Sequence, residues 1–167
     1  MKTLPLLFAA IGLCAGTAVD DHHADHGTMS AEQKQAHHND MLQEAIAGSW
    51  RSEANKARDA FRHPAETLTF FGVTPHSNVL EIWPGGGWYA EILVPYASKH
   101  GSYTGAVNEP LQMTNERSKE YCAKQNQTLR QKFTDNPPVF GAAKLVEFDP
   151  ASPVLGMDGS MDTVLTF

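Results

Sequence analysis

The chain has 167 residues, 41% of them apolar, with a formal charge of −6, which allows one modest hydrophobic core and excludes a second large domain. An acidic balance without a basic run argues against nucleic acid as a general partner. Of the two cysteines, Cys14 falls in the N-terminal apolar run and Cys122 stands alone, so no intrachain disulfide is expected after processing and packing must supply the stability.

The first 18 residues, MKTLPLLFAAIGLCAGTA, have the pattern of a secretory signal peptide. Lys2 supplies the positive start, Leu4 to Cys14 the apolar core, and Gly16-Thr17-Ala18 a small-residue exit. Cleavage after Ala18 is the expectation. Leu13 is too bulky for the residue preceding a lipidated Cys14. The run is also short for a bilayer span, so an exported chain, in the bacterial periplasm, with no stable membrane anchor after cleavage is expected. Processing removes one of the 13 basic residues, Lys2, and none of the 19 acids, which takes the balance to −7.

Residues 19–40 form a polar segment with five of the eight histidines, His22, His23, His26, His37 and His38. Imidazoles in a short tract suit zinc, copper or nickel. Neither Cys-x-x-Cys nor His-Glu-x-x-His accompanies them, so a solvated linker is the preferred reading and no metal ligand is assigned. Within it, Ser30-Ala31-Glu32-Gln33 has the spacing of a capping box, which predicts a helix start at Ala31. Leu42, Ile46, Trp50, Ala54, Ala57 and Phe61 recur at steps of three and four, so residues 41–62 read as one or two helices broken near Gly48-Ser49.

From residue 63 to 167 helical and strand signals alternate. His63-Pro64-Ala65-Glu66 opens a helix that Gly72 ends, and a strand follows at Asn78 to Ile82. Trp88 to Lys99 reads as a helix with Pro95 inside it, Tyr103 to Val107 as a second strand, and Met113 to Phe133 as a long polar helix. Lys144 to Phe148 is a third strand, and Asp162 to Phe167 opens a fourth. That alternation predicts an α/β fold with a Rossmann-like, doubly wound parallel sheet and an N-terminal helical extension. His63, His76 and His100 fall in separate turns and receive no ligand role. The apolar run Asp162-Thr163-Val164-Leu165-Thr166-Phe167 belongs inside a sheet, so the domain is expected to be incomplete after its fourth strand, a fragment of a longer protein.

The chemistry-bearing stretch is VLEIWPGGGWYAEIL, Val79 to Leu93. A strand that ends in glycines and enters a helix places backbone N–H groups at the carboxyl edge of the sheet, where a ligand can approach closely. Gly85 to Ala90 satisfies Gly-x-Gly-x-x-Ala, a variant of the dinucleotide fingerprint. Glu81, just ahead of the glycines, would repel a pyrophosphate and suits instead a ligand with a cationic ammonium and no phosphate. A carboxylate capping loop N–H groups is the bland alternative.

Val79-Leu80-Glu81-Ile82-Trp83-Pro84-Gly85-Gly86-Gly87 resembles the first motif of class I S-adenosylmethionine-dependent methyltransferases. The run from Arg58-Asp59 through His63-Pro64-Ala65-Glu66-Thr67-Leu68 and Phe70-Phe71-Gly72 to Trp88-Tyr89 resembles, more narrowly, bacterial predicted methyltransferases that carry signal peptides. The resemblance covers roughly residues 50–167. It implies a methyltransferase-type fold with S-adenosylmethionine as cofactor and an unknown methyl acceptor, expected to be a small molecule. It also implies Glu81 near the methionine moiety, Gly85, Gly86 and Gly87 against the cofactor, and a ribose-binding acid at the end of the second strand. That acid falls on Val107 or is displaced toward Asn108-Glu109, and Asp149 matches the position near the adenine. Trp83 stands where the broad family has its first glycine. The catalytic residues are not identified.

Ordinary roles stand beside these. Trp88, Tyr89 and Tyr96 read as packing residues, and Asp149, Asn108 and Glu109 as turn residues before Pro150 and Pro110. Two other functions compete: a nicotinamide-dependent oxidoreductase, disfavoured by Glu81, and a non-catalytic periplasmic metal-binding protein that uses the histidine-rich segment.

Overall fold

The computed structural model describes residues 29–155 and 159–167. The signal-like segment, together with His22, His23 and His26, lies outside the described residues. The first element, α1 (Ala31–Ala47), starts as the capping box requires. Ser30 Oγ accepts from the Gln33 N–H at 3.2 Å, and Gln33 Oε1 accepts from the Ser30 N–H at 2.8 Å. It then continues past residue 40, so helix replaces linker from Ala31 onward. Two short helices follow, α2 (Glu53–Lys56) and α3 (Asp59–Arg62). Then come α4 (Pro64–Phe70), β1 (Asn78–Ile82), α5 (Ala90–Ala97) and β2 (Ser102–Asn108). A 3-10 turn at Pro110–Gln112 leads into α6 (Glu116–Asp135), α7 (Pro137–Phe140), β3 (Lys144–Phe148) and β4 (Thr163–Thr166).

The four strands form one all-parallel sheet in the order β3-β2-β1-β4. From β1 the chain winds outward through β2 to β3, and β4 then pairs on the other side of β1. The strand order therefore reverses beside β1, which is compatible with a Rossmann-like fold and opens a crevice beyond its carboxyl end. No helix of the described residues is long and apolar enough to cross a membrane.

Strand periodicity divides the core. Val79, Tyr103, Val107 and Leu165 point to one face, where α1, α5, α6 and α7 cover them with Leu42, Ile92, Leu93, Leu129 and Phe140. Leu80, Ala106 and Phe148 point to the other, where Leu155 and Met161 close a much smaller cluster. Among the described residues, then, the helices that pack on the sheet do so on one face, and a helical layer on both faces is not seen. Glu81 shares the helix-covered face, opposite Gly105 of β2 and Leu165 of β4. The N-terminal helices are part of this core: Met41, Leu42 and Ala45 of α1 are buried with α5, and Trp50 Nε1 donates to the Glu91 carbonyl at 2.9 Å.

Candidate functional site

The loop after β1 spans more of the chain than its sequence implies. The helix expected from Trp88 starts at Ala90, because Gly87 holds φ at +79° and its N–H closes a turn on the Pro84 carbonyl at 2.8 Å. Gly85, at φ +54°, also lies in the left-handed region, which glycine enters without the Cβ penalty of other residues. Trp83 enters it as well, at φ +57°, and a bulky residue there is a true outlier. Its N–H donates to the Ala106 carbonyl at 2.9 Å. Its indole Nε1 donates to Asn108 Oδ1 at 2.8 Å. Trp83 therefore spans the tips of β1 and β2 and stays 56% exposed, rather than folding back on the aromatic start of α5.

Glu81 is the buried acid of the site, 3% exposed. Its Oε2 accepts from the Tyr103 hydroxyl at 2.6 Å. Tyr103 lies two residues before Gly105 on the same strand face. A Cβ at Gly105 would come within 3.2 Å of that hydroxyl and 2.8 Å of Leu145 Cδ2. Glycine at this place leaves the phenol room to lie along β2 and reach Glu81. Burial pushes the Glu81 carboxyl up to about 7, and the Tyr103 hydrogen bond opposes that rise. The Tyr103 phenol is itself raised far above its ordinary value, by burial first and by Glu81 second. Near neutral pH the site thus holds a carboxyl group poised between its two forms.

Glu81, Trp83, Pro84, Gly85 and Gly86 line a cavity of about 220 Å³, closed on its other walls by Asn55, Arg58, Arg62, Trp88, Tyr89 and Phe167. Tyr89 and Phe167 stack with ring centroids 3.6 Å apart. The Arg62 guanidinium lies 5.0 Å from the centre of the Trp88 ring, and neither Arg58 nor Arg62 has a carboxylate partner among the described residues. Three larger recesses, about 740 Å³ between α1 and α4, about 550 Å³ beside α6 and about 340 Å³ between α6 and Glu147 of β3, have neither Glu81 nor the glycine loop on their walls. The site cavity is smaller than the roughly 300–1,000 Å³ of a typical ligand pocket, so it accommodates one end of an extended ligand.

A charge network fixes the loop from behind. Glu91, in the first turn of α5 and 2% exposed, accepts from Lys132 Nζ at 2.6 Å, and the same ammonium donates to the Gly86 carbonyl at 2.8 Å. The other Glu91 oxygen faces Arg51 Nε at 3.8 Å. Arg51, also buried, donates twice to Asp59 at 2.7 Å and once to the Ile46 carbonyl at 2.7 Å. One carboxylate thus ties the N-terminal helices, α5, α6 and the glycine loop together.

The residues singled out in the sequence divide between this cavity and the neighbouring strand tips. Glu81, Gly85 and Gly86 share the cavity wall, whereas Gly87 turns toward α6, where a Cβ would meet Leu129 Cδ1 at 2.7 Å. Asn108 is engaged with Trp83 and, through its carbonyl, with Asn126 Nδ2 at 2.9 Å. Glu109 accepts from the Leu111 N–H at 3.2 Å as cap of the 3-10 turn. Asp149 Oδ1 accepts from the Ala151 N–H at 2.8 Å, a turn cap. Tyr103, Arg58, Arg62, Glu91 and Lys132 are the site residues that sequence reasoning missed. Gly105 inside a strand was the available signal for Tyr103, since such a glycine marks close approach. Comparison with protein-family models, with curated proteins and with solved structures finds no match.

Proposed function

We propose that the chain is an S-adenosylmethionine-binding methyltransferase domain of the class I type. The observation that carries this reading is the buried Glu81 carboxyl beside a glycine turn, over a small cavity at the reversal of the strand order. The residues present fit one end of that cofactor. An α-amino acid head group needs an acceptor for its ammonium and donors for its carboxylate, and the cavity offers Glu81 for the first and Arg58 and Arg62 for the second. The backbone of Gly85 and Gly86 would lie against the chain that leads away from it. Bound there, the cofactor supplies an electrophilic methyl group on a sulfonium. The protein's part is to position, to keep water out and to hold charge, which can lower a barrier by several kcal/mol, up to about 7–11. Trp83, between the cavity and Asn108, is the side chain that a ligand extending toward β2 must stack on or displace.

A dinucleotide fits less well, because Glu81 would face a pyrophosphate with a charge of the same sign. The acceptor is expected to be a small molecule. Titration calorimetry should detect binding of S-adenosylmethionine or its demethylated product, with affinity that rises about tenfold per pH unit up to pH 7 and levels off above it, because the carboxylate form takes the ammonium. Glu81→Gln should remove that pH dependence. Binding of NAD together with no binding of either sulfur compound would overturn the reading.

A further inference from the structure

Glu81 has two carboxyl oxygens, and the fold occupies only one of them. Oε2 accepts from the Tyr103 hydroxyl at 2.6 Å, whereas Oε1 has no hydrogen-bond partner among the described residues, and Glu81 lines the cavity. Strand register sets this up. Glu81 pairs with Gly105 and Val79 with Tyr103 across β1 and β2, so Tyr103 is the diagonal neighbour of Glu81 on one sheet face, within reach of a long side chain. The phenol is fixed by its surroundings. It is wholly buried, Phe133 of α6 meets its ring edge-on with centroids 6.3 Å apart, and Gly105 leaves the gap in which its hydroxyl lies. A phenol has one proton to donate. Burial first and Glu81 second push the Tyr103 phenol far above its ordinary pKa, so that proton stays in place. When Glu81 is neutral, its own proton therefore sits on Oε1, because Oε2 already receives the phenol O–H. The cavity meets a donor in that form and a bare acceptor oxygen in the ionised one.

On the reading of the cavity as the cofactor's head-group site, on which this rests, we propose that Tyr103 is a positioning residue: by holding Oε2 it leaves Oε1 as the single point of contact and sets whether the cavity offers a ligand a donor or an acceptor. A single oxygen suits one N–H of an ammonium. It cannot grip a guanidinium at two points, which takes both oxygens of a carboxylate, so the head group selected is a primary ammonium. The other ionisable groups around Glu81 are few. Arg58, Arg62 and Tyr89 share the cavity walls, β4 presents Leu165 beside it, and Asp59 and Glu91 are engaged with Arg51 and Lys132. Burial opposes ionisation of Glu81, and the Tyr103 hydrogen bond favours it. Tyr103 thus keeps the acceptor form accessible near neutral pH.

Carbon-13 NMR of the Glu81 carboxyl in the full chain, assigned by its loss in Glu81→Gln, reads the titration with no ligand present. The midpoint should lie at about pH 7 in the parent. In Tyr103→Phe, which keeps the ring and removes only the donor, it should rise by about one pH unit. 3-Fluorotyrosine at position 103, a stronger donor of nearly the same shape, should move it the other way. Loss of packing alone would not produce shifts of opposite sign. An unmoved midpoint in Tyr103→Phe, or shifts of the same sign in both, would overturn the proposal. Calorimetry then reads the head group. S-adenosylmethionine should bind Tyr103→Phe about fivefold more weakly than the parent at pH 7, a ratio that approaches one by about pH 9 as both carboxyls ionise. Equal binding by the two chains at pH 7 would also overturn the proposal. A midpoint that moves as expected, with no binding of S-adenosylmethionine to either chain, would instead overturn the cofactor reading and uphold the control of Glu81 by Tyr103.

Discussion

The two ends of the parallel sheet treat ionisable side chains in opposite ways. At the carboxyl end, Glu81 and Glu91 are buried, and each has a hydrogen-bond partner supplied by a different element: Tyr103 of β2 for one, Lys132 of α6 for the other. At the amino end, His76 and His100 are left in water with only each other and His38 for company. Burial makes a charge expensive and therefore specific, because the surrounding structure must be built to receive it. Exposure leaves the imidazoles in water, so no surrounding structure need be built to receive them.

The largest effect that would separate the two ends comes from Glu91→Ala. Removing one member of a buried charge pair typically costs about 3–5 kcal/mol, and urea denaturation should show a loss in that range, with Lys132 and Gly86 released together. Glu81→Gln comes next. The folded state holds a proton on Glu81 up to about pH 7, against an ordinary value of 4.5. Between those values the folded state therefore binds more protons than the unfolded one, and stability falls as pH rises through that window, by roughly 3 kcal/mol. Denaturation midpoints from pH 4.5 to 8 should decline in the parent and flatten in Glu81→Gln, which should be the more stable of the two at pH 8. Equal pH slopes for both would remove Glu81 as the source.

Gly87→Ala should cost about 2 kcal/mol, since φ at +79° strains any side chain and the new Cβ presses on Leu129. Trp83→Gly should shift stability by about 1 kcal/mol or less. It relieves the left-handed strain but forfeits the indole hydrogen bond to Asn108. His76→Ala, at the exposed end, should stay within about 0.5 kcal/mol. A large destabilisation there would break the contrast between the ends.

Local signals in the sequence were strong where chemistry is local. The Ser30–Gln33 box, the short apolar runs of β1 and β3, and the glycine turn after Ile82 each depend on neighbours within a few residues, and β1 and β3 keep the expected bounds. The start of α5 shifted to Ala90 because Gly87 adopts a left-handed dihedral that the spacing Gly-x-Gly-x-x-Ala does not encode. The Tyr103–Glu81 contact, the Arg51–Glu91–Lys132 network and the His38–His76–His100 cluster join residues more than 20 positions apart. Periodicity carries no information about such pairings. They follow from strand register and from where α1 and α6 dock.

The contorted Trp83 also gives the molecule a built-in optical probe. Of the three tryptophans, Trp50 and Trp88 donate to the backbone carbonyls of Glu91 and Asn55 and are wholly or partly buried, while Trp83 stands mostly in water at the mouth of the cavity. Steady emission should therefore carry a red-shifted component from one known side chain. Quenching or a blue shift of that component would report, without any label, the moment at which a ligand settles against the tip of β1.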